Sequence, residues 1–178
     1  MNIEQIKAVV ADTPYDFLRK DPRLGKNIIL LTLGGSHAYG MEKEDSDLDI
    51  RGITLNSKQE ILLGKDFQTI TDLPTDTAIY SFNKIIELLT KANPNTVEQL
   101  GCKPEQYLYL SEIGKELLAN RKMFLSKLCI HSFGNYGQAQ LRRLENKSAR
   151  LTSQAEYERH ILNSIENAFF TFREHYLT

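Results

Sequence analysis

The feature that most constrains the fold is the stretch of residues 33–52, LGGSHAYGMEKEDSDLDIRG. The residues just before it, 28–33, are apolar except for Thr32, which predicts a buried strand. A strand, a glycine turn and a short helix in succession present backbone N–H groups and a hydroxyl to an anion. The start of this stretch therefore predicts a phosphate-binding turn.

The end of the same stretch carries two aspartates in alternation, Asp47 and Asp49. We expect a second strand to begin near Asp47 and to continue to about residue 54, with both carboxylates on one face because side chains alternate along a strand. Two neighbouring carboxylates repel each other unless a cation lies between them. The aspartates therefore predict a metal site, and a phosphate site beside a metal site points to nucleotide chemistry.

Three common motifs for phosphate or metal do not fit these residues. A P-loop needs Lys and Ser or Thr after its last glycine, but Gly40 is followed by Met41 and Glu42. The glycines also lack the G-x-G-x-x-G spacing of a dinucleotide site. A calcium loop needs Gly at its sixth position and Glu at its twelfth, where this chain has Ile50 and Asn56.

Composition places few further limits on function. The 178 residues are 41% apolar and 25% charged with a net charge of −1, as in an ordinary soluble domain. No apolar run approaches the roughly 18 residues that span a bilayer, so we expect no membrane partner. Cys102 and Cys129 have neither metal-ligand nor redox spacing, which favours reduced structural thiols in a cytoplasmic protein.

The order of patterns predicts an α+β fold with a small mixed sheet in a core of residues 1–105. Helical spacing occurs in residues 3–10 and 82–92, and β-prone segments occur in residues 66–71 and 76–80. Residues 106–178 are predicted to form a helical C-terminal region. Its last helix, capped by Ser153, either packs on the preceding helix or continues into a longer natural chain.

The combination GSHAYG…SDLDIRG resembles the nucleotidyltransferase superfamily typified by DNA polymerase beta. Within it, the chain is most similar to the bacterial and phage nucleotidyltransferases of the YcgL type, which are associated in part with RNA repair. The segments DTAIYSFNKIIELLTKANPNTVEQL and FGNYGQAQLRRL extend the resemblance over residues 28–145. It implies a nucleoside triphosphate substrate and two Mg²⁺ ions, or Mn²⁺ in their place. It also implies transfer of a nucleotidyl group with release of pyrophosphate.

The resemblance places Gly35 and Ser36 at the triphosphate. Gly35 allows close backbone approach to the triphosphate, and Ser36 at a helix start can donate its hydroxyl and N–H to phosphate oxygens. His37 is a further candidate for phosphate contact, and Tyr39 for stacking or packing beneath the loop. Arg51 follows the aspartate pair and is expected to brace a phosphate or an acidic neighbour.

The resemblance assigns metal binding and catalysis to three carboxylates. Asp47 and Asp49 correspond to the paired metal ligands. The superfamily also needs a third carboxylate on a neighbouring strand, as a metal ligand or as the general base for the incoming hydroxyl. We expect Asp76 in that role, with Asp66 and Asp72 as alternatives, because Asp76 opens a β-prone segment.

The acceptor is less constrained. Residues 121–150 contain seven Lys or Arg residues and a single acidic residue, Glu145, with Phe133 and Tyr136 among them. Such a segment suits an RNA backbone and its bases, and suits a solvated helix face equally well. An RNA end, a protein side chain and a small molecule all remain acceptors consistent with the pattern. A non-catalytic nucleotide sensor or interaction module on the same fold is the alternative function.

Overall fold

The computed structural model describes residues 2–43, 46–65, 67–150, 158–159 and 161–162. Its strands are β1 (Ile28–Leu33), β2 (Ile50–Thr54), β3 (Thr69–Asp72), β4 (Thr77–Ser81) and β5 (Tyr107–Leu110). Its helices are α1 (Ile3–Ala11), α2 (Phe17–Lys20), α3 (Gly35–Tyr39), α4 (Lys58–Leu63), α5 (Phe82–Thr90), α6 (Pro94–Gly101), α7 (Glu112–Ala119) and α8 (Lys127–Arg150). Short 3₁₀ turns cover Thr13–Tyr15, Gly25–Asn27, Pro104–Gln106 and Arg121–Phe124.

The five strands form one mixed sheet in the order β3-β4-β2-β1-β5. β2 pairs with β1 in antiparallel fashion and with β4 in parallel, and the remaining pairs are antiparallel. The predicted α+β class with a small mixed sheet is therefore confirmed. β1 and β2 lie inside the sheet with a neighbour on each side, which fixes the chain at both ends of the Gly34–Asp49 connection.

Apolar side chains cover both faces of the sheet. On one face Leu31 and Ile50 pack with α1 and α2, through residues such as Ile6 and Leu18. On the other face the buried side chains come from the sheet and from α5 and α6: Ile29, Leu30, Ile53, Ile85, Leu89 and Leu100. This two-sided burial explains why β1 is apolar at every position except Thr32 rather than alternating.

Two helices begin where their capping residues predict. The Ser57 side chain accepts a hydrogen bond from the Glu60 N–H in a complete capping box, and α4 ends at Gly64, whose φ is 60°. The Ser81 side chain caps α5 by accepting from the Lys84 N–H. Each capping serine therefore marks the residue at which its helix begins.

The second strand begins later than predicted. β2 starts at Ile50, so Asp47 and Asp49 precede the strand instead of being its first residues. The two strands beside β2 explain the late start. The last residue of β1, Leu33, and the first residue of β4, Thr77, both pair with Ile50. Residues before Ile50 therefore have no strand on either side with which to continue the ladder.

The sheet also extends beyond the predicted core boundary at residue 105. β5 was not predicted, and it pairs with β1 at the edge of the sheet. α7 follows it and approaches β1 so closely that a Cβ on Gly114 would lie 2.1 Å from the Ile29 carbonyl oxygen. The chain divides into two compact units, residues 1–132 and 133–178.

Within the C-terminal region, α8 is one helix through Gly134 and Gly137, in agreement with the helical prediction. The predicted last helix from Ser153 falls mostly outside the described residues. The part of it that the structure describes, residues 158–159 and 161–162, is helical. No helix in the described part of the chain is both long and apolar enough to cross a membrane.

Candidate active site

The carboxylate of Asp49 lies against the glycine turn that follows β1. The Gly34 N–H donates a hydrogen bond of 2.8 Å to the Asp49 carbonyl oxygen, which holds the two backbones together. A Cβ on Gly34 would lie 2.8 Å from Asp49 Oδ1, and one on Gly35 would lie 3.0 Å from Asp49 Oδ2. The double glycine therefore leaves the space that the carboxylate occupies.

Asp49 is also electrostatically unusual. Only 17% of its side chain is exposed, and burial raises the pKa of its carboxyl above the usual range. The Arg51 guanidinium opposes this rise in pKa, whereas the nearby Asp76 charge adds to it. Arg51 Nη2 donates to Asp49 Oδ2 at 3.1 Å. The same nitrogen is 3.0 Å from Oδ1, but Oδ1 is buried and accepts no hydrogen bond of good geometry from the described residues.

Asp76 lies beside Asp49 because β2 and β4 run parallel. Ile50 pairs with Thr77, and the Ile50 N–H donates to the Asp76 carbonyl oxygen at 3.2 Å, so the two aspartates immediately precede paired residues. Asp76 adopts a left-handed backbone conformation with φ of 43°, which aspartate tolerates better than most residues. Its side chain is 60% exposed, and its Oδ1 lies 3.7 Å from Arg51 Nη1.

The other predicted carboxylates lie in different surroundings. Asp47 is exposed, ahead of the partly buried Leu48. Asp72 Oδ2 accepts hydrogen bonds from the N–H and the hydroxyl of Thr75, at 3.2 and 2.7 Å, so its carboxylate holds the β3–β4 turn. Asp66 lies outside the described residues. Among the described residues, no group of three or more His, Cys, Asp and Glu side chains is clustered closely enough to hold a metal ion.

The predicted nucleotide-binding residues of the turn form α3. Gly35 has a φ of 51° and is exposed, and Ser36 is partly buried. His37 is buried, with 8% of the residue exposed, while Tyr39 is exposed and donates its hydroxyl to Glu98 Oε2 at 2.6 Å. The predicted contacts of these residues with nucleotide stay predictions.

A residue outside the predicted set holds the far end of α3. Gln106 Nε2 donates to the carbonyl oxygens of Ala38 at 2.7 Å and His37 at 3.4 Å, both near the C-terminal end of the helix. Thr32 of β1 in turn donates its hydroxyl to the Gln106 carbonyl oxygen at 3.2 Å. Gln106 therefore connects α3, which follows the glycine turn, to strand β1. No local pattern signals this role, because its partners lie about 70 residues away along the chain.

Comparisons with solved structures give a crystal structure described as a mutant of the toxin–antitoxin pair MntA-HpeT. The match covers 85% of this chain and 100% of that chain at 15% identity, with a TM-score of 0.31. A likeness this weak carries no argument about fold or function. No curated protein matches the chain.

The family comparison covers much more of the sequence than the focal motif. Residues 5–174 match the model of RlaP, described as the RNA repair pathway DNA polymerase beta family. This range includes the glycine turn, all three predicted carboxylates and the described part of the C-terminal region. With nearly its whole length matched, the chain belongs to the RNA repair pathway DNA polymerase beta family.

Proposed function

We propose that this protein is a Mg²⁺-dependent nucleotidyltransferase, also active with Mn²⁺. It would transfer a nucleoside monophosphate from a nucleoside triphosphate to a hydroxyl acceptor and release pyrophosphate. The observation that carries the proposal is the packing of the Asp49 carboxylate against Gly34 and Gly35. Asp76 lies beside Asp49 across the β2–β4 pair. Membership of a DNA polymerase beta family supports the same reaction class.

Asp49 supplies the kind of oxygen that a divalent cation binds, although no three such side chains are clustered among the described residues. Asp49 Oδ1 is buried and accepts no hydrogen bond from the described residues, so a divalent cation would give this oxygen the ligand interaction that hydrogen bonds do not supply. Carboxylate oxygens are the ligands that Mg²⁺ prefers, and Asp47, Asp49 and Asp76 would supply them. When bound, two Mg²⁺ ions would neutralise the phosphate charge and make the acceptor hydroxyl more acidic.

The chain's own groups would perform the remaining tasks. Gly35 and Ser36 would receive the triphosphate, with the Ser36 hydroxyl and N–H donating to phosphate oxygens. The acceptor oxygen would bond to the α-phosphorus while the bond from that phosphorus to the bridging oxygen of the β-phosphate breaks. Pyrophosphate would leave with the bonding electrons. Asp76, whose side chain is 60% exposed, would accept the proton of the hydroxyl.

An RNA end is the acceptor that we propose. The family description places its members in RNA repair, and α8 presents exposed basic residues, among them Arg142, Arg143 and Lys147. A protein side chain or a small molecule would use the same nucleotide chemistry with another hydroxyl. The test below separates these acceptors.

One observation favours the alternative of a non-catalytic nucleotide-binding sensor. Arg51 lies between Asp49 and Asp76, so the carboxylates already have a cationic partner. A protein that keeps this arrangement would bind nucleotide without turning it over.

The deciding experiment measures pyrophosphate release from each of the four ribonucleoside triphosphates with Mg²⁺, with and without total RNA. In parallel, α-labelled nucleotide shows which macromolecule becomes labelled. We expect RNA-dependent release and labelled RNA, both abolished in Asp47→Ala/Asp49→Ala and retained in Glu116→Gln, a control at an exposed carboxylate of α7.

Two other results would lead elsewhere. RNA-independent release that still needs the aspartates would point to a protein or small-molecule acceptor. Triphosphate binding without any release would contradict the enzyme and favour the sensor.

A further inference from the structure

Arg51 is the only described cation paired with the candidate metal ligands, and it contacts two of them. Its Nη2 is 3.0 Å from Asp49 Oδ1, and its Nη1 is 3.7 Å from Asp76 Oδ1. Nη1 also donates to the Asp76 carbonyl oxygen at 3.4 Å. Only 28% of the Arg51 side chain is exposed, so solvent screens its pair with Asp49 only in part.

The register of the sheet places the guanidinium there. Arg51 pairs with Thr32 of β1 and with Ala78 of β4, so its backbone is held from both sides. Asp49 and Asp76 each lie two residues ahead of a member of the Arg51–Ala78 pair. Strand pairing therefore brings the guanidinium within reach of both carboxylates.

The guanidinium and a divalent cation need the same oxygens. The guanidinium carries one positive charge, so while it stays in place it offsets part of the negative charge of the two carboxylates. A metal ion bound to Asp49 and Asp76 would be repelled by a guanidinium at about 3 Å, and the guanidinium would have to leave. Phosphate is a good alternative partner for it, since arginine binds phosphate through two parallel hydrogen bonds.

We propose that Arg51 is a resident counter-cation that competes with the divalent metal for Asp49 and Asp76 and so lowers the metal affinity of the nucleotide-free protein. This inference rests on the proposed function, because it takes these carboxylates as the metal site. Once displaced, the guanidinium is available to the triphosphate, and contact with phosphate is one of the two roles predicted for Arg51 from the sequence, the other being contact with an acidic neighbour.

The test is Mn²⁺ binding to the nucleotide-free protein, followed by the electron paramagnetic resonance signal of free Mn²⁺. Arg51→Met keeps much of the side-chain length without the charge, and we expect it to bind Mn²⁺ about tenfold more tightly than the parent. Arg51→Lys, with one charged nitrogen in place of the fork, should bind with intermediate affinity. Arg23→Met is the matched control, because Arg23 pairs with Asp21 near the opposite end of β2.

The outcomes separate this inference from the function on which it rests. Mn²⁺ binding that is lost in Asp49→Asn but is equal or weaker in Arg51→Met would overturn the competition and leave the metal site standing. If Arg51→Met does not fold, Arg51→Lys with the affinity of the parent overturns it equally. No Mn²⁺ binding by either the parent or Arg51→Met would overturn the metal site and the competition together.

Discussion

Gly34 and Asp49 fit against each other only because Gly34 has no side chain. A Cβ at this position would lie 2.8 Å from Asp49 Oδ1 and 2.9 Å from its carboxyl carbon, closer than real Cβ atoms approach other atoms. The φ of Gly34 is −119°, a value that any residue adopts. The glycine is therefore required by the neighbouring carboxylate and not by its own backbone.

Gly34→Ala should consequently reduce activity much more than stability. The new methyl group displaces the Asp49 carboxylate, and a displacement of about 1 Å in a catalytic group can cost on the order of 100-fold in rate. We expect kcat/KM for pyrophosphate release to fall by about that factor while the thermal midpoint moves little. Gly101→Ala is the control, since a Cβ on Gly101 meets nothing within 4 Å. Equal activity in the two variants would contradict the prediction that a methyl group on residue 34 displaces the Asp49 carboxylate.

Gly114→Ala should show the opposite profile. Its methyl group would collide with the Ile29 carbonyl oxygen at 2.1 Å, a backbone atom that cannot move without disturbing β1. Overpacking of this kind costs about 1–3 kcal/mol or more of unfolding free energy. Urea unfolding measures the loss, with Gly137→Ala on α8 as the control because its Cβ would meet open space. A stability equal to the parent's would mean that α7 does not approach β1 this closely.

Gln106→Met should weaken nucleotide binding while leaving the fold intact. Methionine has a similar size but donates no hydrogen bond to the Ala38 and His37 carbonyl oxygens, so the end of α3 becomes free to move. A hydrogen bond contributes about 0.5–1.5 kcal/mol, which corresponds to roughly a twofold to thirteenfold increase in KM for the triphosphate. Steady-state kinetics at saturating acceptor give the value. A lower kcat at constant KM would show that Gln106 acts on the chemical step instead.

Stability should fall at high pH through Tyr107. Burial raises the pKa of its hydroxyl to about 12, and this hydroxyl donates to the Gln99 carbonyl oxygen at 3.1 Å. The unfolded chain ionises near its ordinary pKa of about 10, so the folded state binds the proton more tightly. The contribution is complete below pH 10 and disappears as the pH rises through 12.

Comparison with variants isolates that effect. Tyr107→Phe should lose less stability than the parent between about pH 10 and pH 12 in urea titrations, because it cannot ionise at this position. Tyr109→Phe, at an exposed position of the same strand, is the control. Parallel curves for the parent and Tyr107→Phe across that window would refute the assignment.

Local sequence signals predicted much of this fold because they act over a few residues. The apolar run of residues 28–33 and the helical spacing of residues 82–92 each predicted an element from neighbouring residues alone, β1 and α5. β5 was missed because four residues, YLYL, show neither alternation nor a turn signal strong enough to distinguish a strand. These residues form a strand because they pair with the edge of β1, and this pairing between distant segments is a tertiary contact.

The candidate site divides in the same way. The glycine turn and the Asp-x-Asp pair are adjacent in sequence, so phosphate and metal binding there could be proposed from residue types alone, and both stay predictions. The start of β2 at Ile50 could not, because it depends on where β1 and β4 end. The pairing of Arg51 with two carboxylates and the contact of Gln106 with α3 also depend on register between distant segments.

The parallel pairing of β2 with β4 makes the candidate site depend on two parts of the chain that can separate. The Gly34 contact with Asp49 belongs to the antiparallel β1–β2 pair, whereas Asp76 arrives through the crossover of residues 55–76, which contains α4 and the edge strand β3. Sheet edges open at lower free energy than buried strands. Partial unfolding of the β3–β4 edge would therefore remove Asp76 while Asp49 stays packed against Gly34, and the proposed catalysis would stop before the rest of the chain unfolds.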